Sequence, residues 1–324
     1  MTASPSWRPT ATLATLRQRA ELLAAARSFF AAHAVLEVDT PALVRHAVTD
    51  RHIHSARAEL PGHDAPLYLH TSPEYAMKRL LAAGSGDIYQ IAHVFRGSEQ
   101  GRWHNAEFTL IEWYRCGFSL RDLMLEVAAL ALRLLGQPAD TPVQYLRYAE
   151  ALQHQLALDP LVASDSELRD LAIARRLDAD LARRCDRDEL LDWLMASVVG
   201  PRLGLEGPCF VHHYPASQAA LARLDPLDPR VALRFELYYR GVELANGFEE
   251  LADAVQQRAR FELDRRRRLA AGLPAPDVDE ALLAALEAGL PPVSGVALGF
   301  DRLLMLRLGA SAIGQVLPFP LDRA

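Results

Sequence analysis

The sequence predicts an α+β fold in which helices flank an antiparallel sheet. Two pairs of strand-like segments follow each other as hairpins: residues 88–95 with 108–114, and residues 231–239 with the segment that starts at Val242. Apolar residues at helical spacing lie outside these hairpins and do not alternate with single strands. A doubly wound parallel sheet needs that alternation, so the sequence favours α+β over α/β.

Composition narrows the class of protein. With 324 residues, of which 50% are hydrophobic and 23% charged, the chain is expected to be globular with a large core. A net charge of −6 gives no bulk attraction to a polyanion, so nucleic acid is not the expected partner. The three cysteines are far apart and form no CxxC pair, which predicts a reducing, cytoplasmic environment. Neither a secretory signal nor a membrane span is expected, because no segment has the required apolar run.

The N-terminal elements have clear local signals. Leucine and phenylalanine at helical spacing predict a long helix from Leu13 to Phe30, and the alternating stretch 35–40 predicts a strand that Pro41 ends. Ser72 and Pro73 are typical of the N-cap and first turn of a helix. The helix that they begin has Glu74 in its first turn.

The rest of the chain follows from its turns and breaks. The first hairpin has a long charged loop, residues 96–107, and loops of this length are often functional. Residues 135–230 are predicted to form a mainly helical packing region, and residues 254–271 a further helix. A glycine-punctuated strand at 294–300 leads into a helix at 301–308. Because candidate functional residues are spread along the whole chain, we expect one domain over residues 1–324.

One predicted strand carries a candidate binding face. Alternation places Phe108, Leu110, Glu112 and Tyr114 on the same side of the strand. That side combines an acid, a phenol and an aromatic ring. The alternative is a solvent-facing edge that binds nothing.

The second predicted hairpin carries a candidate cation site. A two-residue turn at Arg240 and Gly241 would place Tyr238 opposite Glu243, so that Glu236 becomes a diagonal neighbour of Glu243. Two such carboxylates repel unless a cation lies between them, and Mg²⁺ on nucleotide phosphates is the usual cation. The alternative is two solvated glutamates.

Three more residues of this strand would lie on the opposite face from Glu243 if the strand were regular: Asn246, Phe248 and Glu250. They can face the same site as Glu243 only if a bulge, at Gly247 or a neighbour, reverses which face the following residues occupy.

Two arginines flank segments that suit a nucleotide. Arg96 closes a strand, and Arg302 opens a helix just after Gly295 and Gly299, which have no side chains to keep a ligand from the backbone. Close packing against another element would need the same glycines.

Several segments, taken together, resemble a known family. Three of them resemble motifs 1, 2 and 3 of the class II aminoacyl-tRNA synthetases: VLEVDTP at 35–41, FRGSEQGRWHNAEFTLIE at 95–112 and GVALGFDR at 295–302. Two others resemble the lysyl member specifically: TSPEYAMKRL at 71–80 and ELANGFEEL at 243–251. They occur in the family's order and span nearly the whole chain.

The resemblance implies an antiparallel sheet that carries ATP, a homodimer built around motif 1, and activation of an amino acid as its adenylate with Mg²⁺. It implies that Arg96 and Arg302 are catalytic, and that Glu236 and Glu243 hold the metal. The implied ATP-binding residues are Arg96, Gly97, Ser98, His104, Asn105, Phe108, Glu243, Leu244, Gly299 and Arg302. The implied substrate-binding residues are Ser72, Pro73, Glu74, Glu112, Tyr114, Asn246, Glu250 and Ala297.

The chain also departs from the lysyl-tRNA synthetases. Ser98 stands at the usual glutamate of motif 2, and Ala297 replaces a glycine of motif 3. Motif 1 begins at residue 35, which leaves no room before it for an anticodon-binding domain, so we expect a bare catalytic domain. These features resemble the paralogues that join (R)-β-lysine to a lysine side chain of elongation factor P. The alternatives are a lysine ligase that acts on tRNA and a catalytically silent regulatory subunit.

Overall fold

The computed structural model describes residues 7–63, 65–97 and 100–324. The chain forms two compact units. The first comprises Met1–Phe118, Arg133–Gln137 and Ala252–Ala324, and the second comprises Ser119–Leu132 and Pro138–Leu251. One catalytic domain over residues 1–324 stays a prediction.

The helices, in chain order, are α1 (Leu13–Ala32), α2 (Glu74–Ala82), α3 (Leu120–Leu135), α4 (Tyr148–Leu156), α5 (Asp165–Ala174), α6 (Ala179–Arg184), α7 (Arg187–Leu194), α8 (Ala254–Ala270), α9 (Glu280–Gly289) and α10 (Phe300–Leu308). The strands are β1 (Leu36–Glu37), β2 (Leu43–Val44), β3 (Arg57–Ala58), β4 (Leu67–Leu69), β5 (Ile88–Phe95), β6 (Glu107–Cys116), β7 (Gln144–Arg147), β8 (Cys209–Pro215), β9 (Val231–Tyr239), β10 (Val242–Glu249) and β11 (Val293–Gly299). The predicted α+β class is confirmed.

The first unit contains four strands in the order β1-β5-β6-β11, and a small sheet of order β2-β4-β3. Helix α1 covers one face of the larger set, because the ring of Phe30 stacks on Tyr89 with centroids 4.2 Å apart and meets the edge of Trp113 at 5.3 Å. Tyr89 and Trp113 lie opposite each other across β5 and β6. Strand alternation therefore turns Glu112 and Tyr114 of β6 to the other face.

The second unit contains four strands in the order β10-β9-β8-β7. Its helices α4, α5 and α7 share an apolar core in which Leu152, Leu168, Leu190 and Leu194 are fully buried. The region predicted as mainly helical thus contains helices, but it also contains strands β7 and β8, which the sequence analysis did not predict.

The prediction of an antiparallel sheet is wrong in two places. β1 pairs parallel with β5, and β7 pairs parallel with β8. Neither pair is a hairpin, because long stretches of chain separate its strands. The antiparallel pairing was inferred from hairpins, and a crossover connection allows the parallel direction.

The predicted and observed ends of the strands agree best where the local sequence signal is strong. β5 and β9 have the predicted limits, and the turn between β9 and β10 has positive φ angles of 51° at Arg240 and 74° at Gly241, as a two-residue hairpin turn requires. The predicted strand over 35–40 is wrong in length, because only Leu36 and Glu37 pair. Within the described ranges, no helix is long and apolar enough to cross a membrane.

Candidate active site

The predicted site residues fall into two groups, one in each compact unit. In the first unit, Glu112 lies in the middle of β6 and is 2% exposed. The hydroxyl of Tyr114 donates to Glu112 Oε1 at 2.8 Å, and that of Ser72 donates to Oε2 at 2.7 Å. β6 is paired on both sides, by β5 and β11, so the alternative of a solvent-facing edge is wrong.

The electrostatic environment of Glu112 is unusual for a carboxyl group. Burial raises its pKa to about 7, and the negative charge of Glu74 adds to this effect. The hydrogen bonds from Ser72 and Tyr114 and the charge of Lys78 act in the opposite direction. A group of this kind exchanges its proton in the physiological range, and it binds a cation when it is ionised.

Glu74 begins α2 and faces a buried lysine. Its backbone N–H donates to Ser72 Oγ at 3.0 Å, with Pro73 at the N-cap position. Lys78, one helical turn later, donates from Nζ to Glu74 Oε1 at 2.8 Å, and its side chain is 2% exposed. Lys78 was not among the residues predicted from the sequence. The four-residue spacing from Glu74 was the available signal, because such pairs lie on one face of a helix.

Small residues line the neighbouring strand. Gly295, Ala297 and Gly299 of β11 pair with Tyr114, Glu112 and Leu110 of β6, respectively. This register places the methyl group of Ala297 beside Glu112. The face therefore has little side-chain bulk next to its carboxylate.

Most of the predicted nucleotide-binding residues of the first unit lie at the β5–β6 connection. The guanidinium carbon of Arg96 lies 5.1 Å from the centre of the Phe108 ring, and the Arg96 backbone N–H donates to Ala106 O at 2.8 Å. Gly97 donates to His54 O at 2.7 Å. Ser98 lies outside the described residues. The arrangement holds a cation and an aromatic face side by side at the end of the strand.

Arg302 lies beside the same connection. Its Nη2 is 2.6 Å from Nε2 of His104, and its Nε donates to Trp103 O at 3.3 Å. The side chain of Asn105 donates to Glu107 O at 2.7 Å and accepts from the backbone of Leu321 at 3.2 Å. Asn105 thus binds the protein's own backbone, and a contact with a nucleotide stays a prediction.

A buried ion pair fixes the start of α10, where Arg302 is placed. Asp301 is 1% exposed and accepts from Arg19 of α1 and from the backbone of Thr109 at 2.6 Å. Arg19 also donates to Thr109 Oγ1 at 2.7 Å. Gly299 occupies the N-cap position of α10. This network was not predicted from the sequence, since its partners are distant along the chain.

In the second unit, the β9–β10 register confirms that Tyr238 lies opposite Glu243. A bulge lies between Glu243 and Ala245, at the buried Leu244, and it brings Asn246 opposite Glu236. The bulge that the sequence required therefore exists, three residues before Gly247. Glu236, Glu243 and Asn246 consequently share one face of the hairpin.

Glu236 is held by three donors. The hydroxyls of Tyr214 and Tyr238 both donate to its Oε2 at 2.6 Å, and Arg234 donates to its Oε1. Arg234 Nε also donates to Asn246 Oδ1 at 3.2 Å. These bonds hold the carboxylate in one orientation. Glu250 follows the end of β10, is 5% exposed and forms a bridge with Ala222.

The donor set of this face fits Mg²⁺. Glu236 and Glu243 supply carboxylate oxygens, the ligands that a hard cation prefers. Among the described residues, no group of three or more histidine, cysteine, aspartate or glutamate side chains could form a cage for a metal. A pair of carboxylates suits Mg²⁺, which completes its shell with water and phosphate oxygens.

Comparison with known proteins identifies the class. Residues 6–323 match the family model of the class II tRNA synthetases (D, K and N), and the chain belongs to this family. It is an enzyme of the ligase type.

Curated relatives narrow the class further. Proteins of Edwardsiella ictaluri (strain 93-146) and Erwinia tasmaniensis are each 50% identical to the chain, over 329 and 330 residues, and one of Proteus mirabilis (strain HI4320) is 49% identical over 328 residues. Each match covers 100% of both chains. All three relatives are named elongation factor P (R)-β-lysine ligase.

Proposed function

We propose that the chain activates (R)-β-lysine with ATP as its adenylate and transfers the β-lysyl group to a lysine side chain of elongation factor P. The observation that carries the proposal is the buried carboxylate of Glu112 with that of Glu74 nearby, because a diamino acid needs carboxylates for its ammonium groups. The full-length relatives support the same substrates by their names. We further propose that it works in the cytoplasm as a homodimer.

The first step needs positioning more than acid–base chemistry. The substrate carboxylate is already ionised near pH 7 and attacks the α-phosphorus of ATP in line, with pyrophosphate as the leaving group. In this proposal, Arg96 and Arg302 would neutralise the charge that grows on the phosphate. The Mg²⁺ that Glu236 and Glu243 would hold supplies further charge neutralisation when it is bound. Phe108 offers an aromatic face for the base.

The second step forms an amide bond. The neutral ε-amine of the acceptor lysine attacks the carbonyl carbon of the adenylate, AMP leaves, and the amine loses a proton. The bond between the carbonyl carbon and the phosphate oxygen breaks as the bond between the carbonyl carbon and the amine nitrogen forms. The first unit's cationic groups, Arg96 and Arg302, would then hold AMP as it departs.

Acceptor labelling tests the proposal. The enzyme is incubated in separate reactions with ATP, one lysine isomer, and either elongation factor P or tRNA, and the acceptor is analysed by mass spectrometry. Elongation factor P should gain one β-lysyl group and tRNA should gain none. Labelling of tRNA alone would favour a tRNA ligase. Absence of ATP–pyrophosphate exchange with every lysine isomer would refute both enzyme functions and favour a silent subunit.

A further inference from the structure

Helix α8 of the first unit carries a dense run of arginines. Four of them stand in a row at 265–268, and Arg258 precedes them on the same helix. A basic helix of this kind is usually a solvated face or a surface for an acidic partner. Arg258 and Arg265 are instead paired with glutamates of the chain itself, Glu280 at 2.5 Å and Glu262 at 3.0 Å. The last arginine of the run differs from the others because it is buried.

Arg268 is 6% exposed and donates to three backbone carbonyls. Its Nη1 donates to Asp50 O at 2.6 Å and to Ile53 O at 3.2 Å, and its Nε donates to Pro274 O at 2.7 Å. Asp50 and Ile53 flank the turn at 51–52, between β2 and β3. The planar guanidinium donates in two directions from one fixed fork. It therefore joins the end of α8 to both sides of that turn.

The turn leads directly to the proposed nucleotide site. His54 follows Ile53, and its backbone carbonyl accepts from the N–H of Gly97 at 2.7 Å. A Cβ on Gly97 would lie 3.4 Å from the same oxygen, so the two backbones are in close contact. Gly97 is itself exposed. Its N–H is therefore held by the position of the 50–54 segment rather than by packing around it.

Backbone hydrogen bonds hold the chain on both sides of the Arg96 side chain. The N–H of Arg96 donates to Ala106 O at 2.8 Å, and the N–H of Gly97 donates to His54 O. The first bond belongs to the β5–β6 hairpin, whereas the second depends on a segment outside it. Backbone direction determines where a side chain lies. Movement of that segment would consequently shift the guanidinium of Arg96, whose central carbon is 5.1 Å from the centre of the Phe108 ring.

We infer that Arg268 is a positioning residue for Arg96. It acts through the 50–54 segment, whose carbonyl at His54 anchors the N–H of Gly97. The inference rests on the proposed function, in which Arg96 neutralises charge on the α-phosphate. It adds to that step a residue of α8 that changes the geometry of the cation and takes no part in bond making or breaking.

Amide hydrogen exchange tests the link between α8 and Gly97 without reference to activity. The full-length protein is prepared with isotopically labelled glycine, and exchange at Gly97 is followed by NMR. In Arg268→Met this amide should exchange at least about 10-fold faster than in the wild type, since its acceptor is no longer fixed. The amide of Gly295, buried in β11 of the same unit, should keep its protection. Arg266→Met removes a charge from an exposed position of α8 and should leave both amides unchanged.

ATP–pyrophosphate exchange tests the consequence for catalysis. Arg268→Met should lower kcat by about 10- to 100-fold, because a misplacement of about 1 Å has an effect of that order. The KM for (R)-β-lysine should change by less than about twofold, since the carboxylates proposed to bind it lie on α2 and β6. Arg268→Lys keeps the charge without the planar fork and should recover part of kcat. A wild-type kcat in Arg268→Met, or an equal loss in Arg266→Met, would overturn the inference.

The two proposals fail in different ways. If the wild type catalyses ATP–pyrophosphate exchange with β-lysine and Arg268→Met keeps its kcat, the proposed function stands and the inference is wrong. If the wild type shows no such activity with β-lysine, the proposed function is wrong and the inference falls with it. Unchanged amide exchange at Gly97 in Arg268→Met would refute the inference whatever the activity. Should Arg268→Met not fold, Arg268→Lys, which keeps the buried charge, allows the same two comparisons.

Discussion

Glu112→Gln should remove a pH-dependent loss of stability from the substrate-free protein. The pKa of Glu112 rises from the usual 4.5 to about 7 in the folded state. Because the folded pKa is raised, the stabilisation is fully present below pH 4.5 and is lost as the pH rises through 7. Between pH 5 and pH 8, these values give a loss of about 2.5 kcal/mol in the free energy of unfolding.

The substitution conserves shape, so that the difference between the two proteins isolates this carboxyl group. An amide can still accept from Tyr114 and donate to Ser72, and every other titrating group is the same in both. For a chain of this length, about 2.5 kcal/mol corresponds to about 4 °C in melting temperature. Thermal unfolding at both pH values, followed by circular dichroism, should therefore show that the wild type loses about 4 °C more than the variant. Parallel changes in the two proteins would refute the assignment of a raised pKa.

Three further substitutions test the proposed roles of other residues. Glu243→Ala should lower ATP–pyrophosphate exchange at least about 100-fold while the protein remains folded, because it removes one of the two proposed metal ligands, whereas Glu249→Ala on the same strand should keep the wild-type rate. Ala297→Gly should raise activation of α-lysine relative to β-lysine by about 10- to 100-fold at most, as measured by exchange with each isomer, since one methyl group beside Glu112 is removed; an unchanged isomer ratio would place selectivity elsewhere. Asp301→Asn should lower the free energy of unfolding in urea by about 3 kcal/mol, because it leaves the charge of Arg19 without its buried partner, and a cost near zero would contradict the geometry.

Local chemistry in the sequence determined a large part of the fold. The helical spacing of Leu13 to Phe30 and the two-residue turn at Arg240 and Gly241 act over a few residues, so that neighbouring side chains and backbone φ preferences suffice to specify them. The same applies to parity along a strand, which placed Glu112 and Tyr114 on one face. The motif resemblance, which several separate segments share, indicated the family correctly.

Tertiary structure decided the features that depend on distant partners. The parity of β10 requires a bulge, but its position at Leu244 follows from pairing with β9 over the whole strand. The ion pair of Arg19 with Asp301 joins residues 282 positions apart, and no local pattern marks such a pair. Strands β7 and β8 form because each pairs with another strand, and their own sequences carry little signal. The spacing of Lys78 from Glu74 allowed a pair on one helix face, but only packing showed that Lys78 is buried. Burial and pairing are properties of the assembled chain, and they determine the pKa of Glu112 and thus the chemistry of the candidate site.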